Sequence, residues 1–115
     1  MDAEEKLLRL VLHDEEFIEE ILGVGKDNLE ASRCDRRTHA LIRLGALLAL
    51  DAPSVLYQWN VEEAFAAGVT PDEIVGCLIA VAPLIGIPRV VAAAPEIATM
   101  IGYDITAALE AVSED

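Results

Sequence analysis

Few side chains in this sequence are of the types that carry out catalysis or bind metals. The chain of 115 residues has two histidines, His13 and His39, and two cysteines, Cys34 and Cys77, which form no CxxC pair. A histidine can relay a proton near neutral pH and a cysteine thiolate can act as a nucleophile, but each of these residues stands far from its counterpart. A zinc site needs several such ligands close together. We therefore predict no metal site and no bound cofactor, and we assign no catalytic residue.

Asn60 is the most informative polar residue, because it falls on an apolar face of its predicted helix. Leu56, Tyr57 and Ala64 lie three or four residues away, on the same side of the helix. A buried amide must find hydrogen-bond partners. Asn60 is thus either a structural residue bonded to backbone or water, or a pocket group that binds a ligand carbonyl or carboxylate. The candidate pocket comprises Asn60, Tyr57, Trp59 and His39.

His39 and Trp59 each allow two interpretations. His39 shares a helix face with Arg36 and Arg43, which indicates the surface or a subunit contact rather than catalysis. Trp59 is the only tryptophan, and a place in the core or in a subunit interface competes with a platform on which a ligand stacks. The chemistry of the candidate pocket therefore depends on how the helices bring these side chains together.

Arginines cluster near the start of the predicted helix over residues 36–50, whereas acidic residues dominate the first thirty positions. Arg33 precedes the helix, and the cluster within the helix consists of Arg36, Arg37 and Arg43. The guanidinium groups either form ion pairs on solvated faces and between subunits, or form an anion patch. The second alternative implies a small anionic metabolite as a ligand.

The elements that must position these residues are all predicted to be helices, because no segment shows the alternation typical of strands. Asp14 caps the second helix, which Gly23 and Gly25 end, and residues 23–33 are predicted to be a polar connection. Pro95 is expected to kink the sixth helix or to divide it. The predicted helices span residues 3–12, 15–22, 36–50, 54–67, 71–84, 88–101 and 105–112.

The turn between the fourth and fifth helices carries the strongest local signal. Gly68 follows the fourth helix, and residues 70–73 read Thr-Pro-Asp-Glu. This pattern is a capping box with proline at the first helical position. Gly86 ends the fifth helix and Pro88 starts the sixth.

The composition limits the class of protein. Hydrophobic residues make up 54% of the chain, which predicts apolar surface that self-association would cover. The net charge of −13 argues against nucleic acid and anionic membranes as partners. The charged N-terminus lacks the apolar segment of a signal peptide. We therefore expect a cytoplasmic protein with free thiols.

Three ordered segments carry a resemblance to a known family. They read CDRRTHALIRLGALLAL over residues 34–50, WNVEEAFAAGVTPDEI over 59–74, and VAPLIGIPRVVAA over 81–93. In order and spacing the chain resembles the carboxymuconolactone decarboxylase and alkylhydroperoxidase D-like superfamily. The resemblance implies one domain over residues 1–115 and an all-α, alkylhydroperoxidase D-like bundle of about six to seven helices. It also implies self-association into trimers or hexamers.

The reactive residues of that superfamily have no counterpart in this sequence. In its enzymes a carboxylate and a histidine on two helices face one pocket, and the peroxidase branch adds a CxxC pair. Aligned through ALIRL and NVEEAFAAGVT, the carboxylate and histidine positions hold Ala40 and Asn60. The two thiol positions hold Pro53 and Leu56. The chain thus lacks both the Glu/His relay and the thiol pair.

Two function hypotheses follow. In the first, the chain is a carboxymuconolactone decarboxylase-like protein that acts on a small carboxylated or lactone-like metabolite near Asn60. In the second, it is a non-catalytic oligomeric module for ligand binding or interaction, with a degenerate pocket. An open cavity at Asn60 would favour the first hypothesis, and a sealed Asn60 would favour the second.

Overall fold

The computed structural model describes residues 1–23 and 26–113. These residues form helices and connecting turns without any strand, which confirms the all-α prediction. Among the described helices, none is long and apolar enough to span a bilayer. In chain order the helices are α1 (Ala3–Val11), α2 (Glu15–Leu22), α3 (Lys26–Ser32), α4 (Arg36–Ala49), α5 (Ser54–Ala66), α6 (Pro71–Ile85), α7 (Ile87–Met100) and α8 (Thr106–Ser113).

The helices group into two compact units along the chain. The first unit, Met1–Asp35, contains α1 to α3, and the second, Arg36–Asp115, contains α4 to α8. Asn60, His39 and the arginine cluster all belong to the second unit. The single domain over residues 1–115 stays a prediction.

In the first unit, α2 begins and ends where the sequence predicts. The Asp14 carboxylate accepts a hydrogen bond from the backbone N–H of Phe17 at 3.2 Å, which satisfies a donor at the start of the helix. Gly23 follows the last residue of α2, whereas Gly25 lies outside the described residues. Phe17 is buried and anchors the apolar face of this helix.

The segment predicted as a polar connection is partly helical, because α3 covers Lys26–Ser32. The prediction is therefore wrong for these residues. Two hydrogen bonds hold the helix within its unit: the Asn28 amide donates to the carbonyl of Ile21, and the Lys6 ammonium donates to the carbonyl of Ala31 at 3.1 Å. The segment lacks a strong apolar repeat, and its local preference for helix is therefore weak. Tertiary contacts stabilise the helix instead.

The second unit is built around α4, which packs against α5, α6 and α7. Apolar residues at helical spacing form one continuous core, because α4, α5, α6 and α7 each turn an apolar stripe inward. Leu44 and Ile74 are fully buried at its centre. The buried core residues are Ala40, Leu44, Leu48, Tyr57, Val61, Ala64, Val69, Ile74, Leu78, Ala93 and Ile97.

Local signals set the bounds of α6. The Thr70 hydroxyl accepts from the N–H of Glu73 at 3.2 Å, and the Glu73 carboxylate accepts from the N–H of Thr70 at 3.0 Å. Both halves of the predicted capping box are therefore formed. Gly86 ends the helix with φ of 95°, a left-handed conformation that glycine adopts without steric cost.

Pro95 does not divide α7, which runs unbroken from Ile87 to Met100. The alternative in which the helix stops and restarts is thus wrong. A proline removes one backbone donor from the helix. Pro95 is exposed, so water can bind the carbonyl that loses its partner. Beyond α7, the Asp104 carboxylate accepts from the N–H of Thr106 at 3.0 Å, as expected for the residue predicted to cap the last helix.

Candidate functional site

Asn60 lies inside the contact between α5 and α4. Its side chain is 8% exposed, and its amide Nδ2 donates to the carbonyl oxygen of Ala40 at 3.0 Å. A helical carbonyl has two lone pairs and can accept this bond besides its bond within the helix. Ala40 is 1% exposed and carries only a methyl group, so α5 can approach closely enough for the bond to form. The amide therefore links the two helices.

Tyr57 makes a second polar link between the same helices. Its ring is 2% exposed, and its hydroxyl donates to the carbonyl of Leu47 at 3.3 Å. Burial raises the pKa of this phenol, and the nearby Asp51 carboxylate raises it further. The hydroxyl thus stays protonated and acts as a donor. Asn60 and Tyr57 direct their polar atoms to the backbone of α4, where they serve packing.

The other two residues of the predicted pocket lie in different surroundings. Trp59 is 62% exposed, which excludes a place for it in the core of its unit. His39 is half-buried on α4. Burial lowers the pKa of His39 and the Arg43 cation lowers it further, while the Glu63 carboxylate opposes both. The four side chains therefore do not share one environment: two are buried, one is exposed and one lies at an edge.

The arginine cluster is largely engaged in ion pairs. Arg36 binds Glu63 of α5 with an N–O distance of 2.6 Å, and Arg37 binds Glu73 of α6. The Arg37 hydrogen bond and the N–H of Thr70 hold the pKa of the Glu73 carboxyl below its usual value. Arg43 forms no ion pair with any residue that the structure describes. The net positive charge available to an anion is thus smaller than the sequence indicates.

The positions matched to the thiol pair of the resembled superfamily hold structural residues. Pro53 precedes α5 with an extended backbone, φ of −61° and ψ of 150°, and Leu56 is half-buried on that helix. Cys77 of α6 is half-buried, and its thiol donates to the carbonyl of Leu41 at 3.5 Å. Burial raises the pKa of the Cys77 thiol, which keeps it protonated and weakly nucleophilic. Cys34, in the first unit, is also a half-buried free cysteine.

Metal-ligating side chains do not gather at one place in residues 1–23 and 26–113. No group of three or more histidine, cysteine, aspartate or glutamate side chains there could hold a metal ion. Three glutamates that approach other elements have partners: Glu63 is bound to Arg36, Glu73 is bound to Arg37, and Glu96 accepts a hydrogen bond from the Ser54 hydroxyl at 2.6 Å. The described side chains thus offer hydrogen bonds and ion pairs, but no group of carboxylates that could hold a metal ion.

An open groove lies on the other side of α4, between α4 and α6. Its volume is about 410 Å³, and none of the four predicted pocket residues lines it. Sequence reasoning missed this groove, although small residues within the uncharged run of α6 are a signal for it. The lining residues are Leu41, Ile42, Glu73, Gly76, Cys77 and Ala80.

Comparison with models of known protein families gives a match. A family model described as the carboxymuconolactone decarboxylase family matches residues 15–99. The match extends from the start of α2 to near the end of α7 and covers the α4–α5 contact that holds Asn60. Neither a curated protein nor a solved structure matches the chain.

Proposed function

We propose that this chain, which belongs to the carboxymuconolactone decarboxylase family, is a non-catalytic member that self-associates as a helical module. One observation carries the proposal. The Asn60 amide is buried and donates to the Ala40 carbonyl at 3.0 Å. It fills the contact between the two helices on which the superfamily's enzymes carry their proton relay.

The residue types at this contact support the absence of a relay. A proton relay needs a group that takes up and releases a proton near neutral pH. Ala40 has no such group, and the amide of Asn60 does not titrate. General acid–base catalysis contributes about 10²–10⁴ in rate, and this contribution would be missing. The matched thiol positions, Pro53 and Leu56, offer no nucleophile for peroxide.

The burial of the contact supports the same conclusion. Ala40 is 1% exposed and Asn60 is 8% exposed, so a substrate could reach neither residue unless α4 and α5 separated. Separation would break the Asn60 hydrogen bond and expose core residues such as Val61. A binding pocket is usually a largely preformed cavity with a few convergent polar groups. The Asn60 amide donor is already bound to backbone.

Exposed apolar side chains of the second unit support self-association. Ile79 is 68% exposed, Leu84 is 86% exposed and Val91 is 62% exposed. Large apolar surfaces on a single chain are typical of interaction sites. The resemblance favours a trimer or a hexamer. Sedimentation velocity at micromolar concentration tests this part of the proposal, and a stable monomer would contradict it.

The role of Asn60 can be tested with a leucine substitution and an assay for lactone decarboxylation. We expect the natural protein not to accelerate loss of CO₂ from a carboxylated lactone. Asn60→Leu should lower the free energy of unfolding by about 1 kcal/mol, because one buried hydrogen bond is lost. It should leave the sedimentation coefficient unchanged.

The matched control is Gln58→Leu, which replaces an exposed amide on the same helix. That substitution should change the free energy of unfolding by less than about 0.5 kcal/mol. A different outcome is that the natural protein decarboxylates the lactone, that Asn60→Leu abolishes this activity and that Gln58→Leu retains it. Asn60 would then belong to an active site. The non-catalytic proposal would then be wrong.

A small carboxylate ligand is a second candidate, favoured by the state of Arg43. Arg36 and Arg37 are bound to glutamates, whereas Arg43 lies beside half-buried His39 without an ion pair in the described part of the chain. A guanidinium can bind a carboxylate with two parallel hydrogen bonds. Calorimetric titration with a carboxylated lactone should then show binding that Arg43→Gln removes and Arg37→Gln retains. Equal binding by both variants would eliminate this candidate.

A further inference from the structure

The groove between α4 and α6 is open because α6 carries small residues where it passes α4. Gly76 has no side chain, and a Cβ built on it would meet no atom within 4 Å. Ala80 lies one helical turn further along, and Cys77 and Leu41 also line the groove. None of the described residues of the second unit fills the resulting space of about 410 Å³.

The polar atoms of the groove already have partners. The Glu73 carboxylate binds Arg37 and the N–H of Thr70. The Cys77 thiol donates to the Leu41 carbonyl at 3.5 Å. A small polar ligand needs a few convergent polar groups to fix its orientation. These groups are engaged, so the surface suits an apolar side chain better than a polar metabolite.

The same helix presents a protruding apolar side chain next to the groove. Ile79 is 68% exposed and lies three residues from Gly76, about 60° around the helix. Ile42, on the α4 side of the groove, is 59% exposed. The exposed face of α6 thus carries both a protruding apolar side chain, Ile79, and an apolar groove at Gly76.

Charge explains why this face suits a second copy of the chain. The chain carries a net charge of −13, so two copies repel each other over most of their surfaces. Residues 74–88 contain no charged side chain. Glu73, which also lines the groove, is paired with Arg37, so two copies can approach at the outer face of α6 with little electrostatic cost.

From these observations, and on the basis of the self-association proposed above, we infer that the outer face of α6 is the contact between copies. In this contact Ile79 of one copy lies over the groove at Gly76 and Ala80 of the next. A rotation axis that runs roughly along α6 produces the same contact in a pair or in a closed ring, because projection and groove lie side by side on one helix. One chain therefore supplies both halves of the contact.

Substitution of Ile79 by glutamate tests the inference. The added carboxylate would enter an apolar groove of another acidic copy, where desolvation and repulsion oppose binding. Sedimentation velocity over a concentration series should show an assembly for the natural protein. The apparent dissociation constant of Ile79→Glu should be at least about tenfold higher, with an unchanged far-ultraviolet circular dichroism spectrum.

Leu50→Glu is the matched control, because Leu50 is 76% exposed and lies just beyond the end of α4. It adds the same charge at a residue that does not line the groove, and its assembly should match that of the natural protein. Gly76→Leu tests the groove without a charge change, since the new side chain would occupy the space that Ile79 needs. It should also weaken the assembly.

The outcomes separate this inference from the proposed function. If the natural protein assembles and both Ile79→Glu and Gly76→Leu assemble equally well, the α6 contact is wrong, while self-association stands. If the natural protein is a monomer at all concentrations, both proposals fail. The protein could also be a monomer whose groove binds an apolar fluorescent probe, with binding lost in Gly76→Leu. This result would assign the groove to a small apolar ligand and overturn the inference.

Discussion

Helix α4 makes two contacts in the second unit that differ in what lies between the helices. Towards α5 the space is closed, because the Asn60 amide and the Tyr57 hydroxyl both donate to α4 carbonyls. Towards α6 the helices approach closely at Gly45, where a Cβ would lie 3.3 Å from Cγ1 of Val81. They then leave the groove open near Gly76.

The comparison shows how one helix can have a sealed contact and an open contact. Polar side chains seal the first, since each one finds a backbone partner and excludes a ligand from it. Small residues open the second, since Gly76 and Ala80 leave volume that no side chain in the described part of the unit occupies. The family resemblance directs attention to the sealed contact, whereas the accessible surface lies at the open one.

The largest predicted effect distinguishes the two faces of α6. Ile74 is fully buried and Ile79 is 68% exposed, although both are isoleucines on one helix. Ile74→Ala should lower the free energy of unfolding by about 2–5 kcal/mol, because it leaves a cavity in the core. Ile79→Ala should change it by less than about 0.5 kcal/mol in the monomer. Urea denaturation at low protein concentration measures both values, and similar losses would show that Ile79 is part of the core.

A smaller pair of effects should have opposite signs at the closed and open contacts. Tyr57→Phe removes the hydrogen bond to Leu47 and should lower the free energy of unfolding by about 1 kcal/mol. Gly76→Ala should raise it by up to about 1 kcal/mol, since alanine favours the helix and its Cβ meets no atom within 4 Å. Both are best measured in the Ile79→Glu background, so that self-association does not contribute. A loss of stability in Gly76→Ala would show that the groove is filled in solution.

The smallest predicted effect is a pH dependence at the edge of the α4–α5 contact. Burial and the Arg43 cation lower the pKa of His39 below its usual value. The unfolded chain then binds the proton more readily than the folded chain. The contribution of His39 to the free energy of unfolding is fully present at a pH above its pKa in the unfolded chain. It is lost as the pH falls from that value through the pKa in the folded chain. His39→Gln should flatten this decline in the urea midpoint.

The control for the pH experiment is Arg43→Gln, which removes one of the two causes of the lowered pKa. It should reduce the decline less than His39→Gln does, because burial is the larger cause. A decline that is identical in the natural protein and in His39→Gln would mean that other groups produce it. The edge of the contact would then have no measurable part in stability.

Much of the fold follows from the sequence because its signals are local. The caps at Asp14 and Thr70 and the end of α6 at Gly86 depend on residues within one turn of each other. The sequence does not predict helix α3, because two groups that hold it, the Lys6 ammonium donor and the Ile21 carbonyl acceptor, lie outside the segment. The unbroken path of α7 through Pro95 also could not be decided from the residues alone.

The candidate site was less predictable, because it depends on pairs that are distant in the sequence. The apolar face around Asn60 predicts burial, and its side chain is 8% exposed. The same pattern could not decide between a backbone partner and a ligand. Trp59, the next residue before Asn60, also belongs to the predicted pocket and is 62% exposed.

By itself, the sequence determined the helical class, the caps and turns and the family resemblance, and it predicted that the matched positions hold no reactive residues. These features depend on residue types and on spacings of three or four residues. Only the tertiary structure decided that Asn60 donates to Ala40, twenty residues away, and that Arg37 binds Glu73, thirty-six residues away. It also decided that α4 and α6 leave a groove. The physical reason is that helix signals act within one turn, whereas hydrogen-bond partners and open volume arise only when separate helices pack.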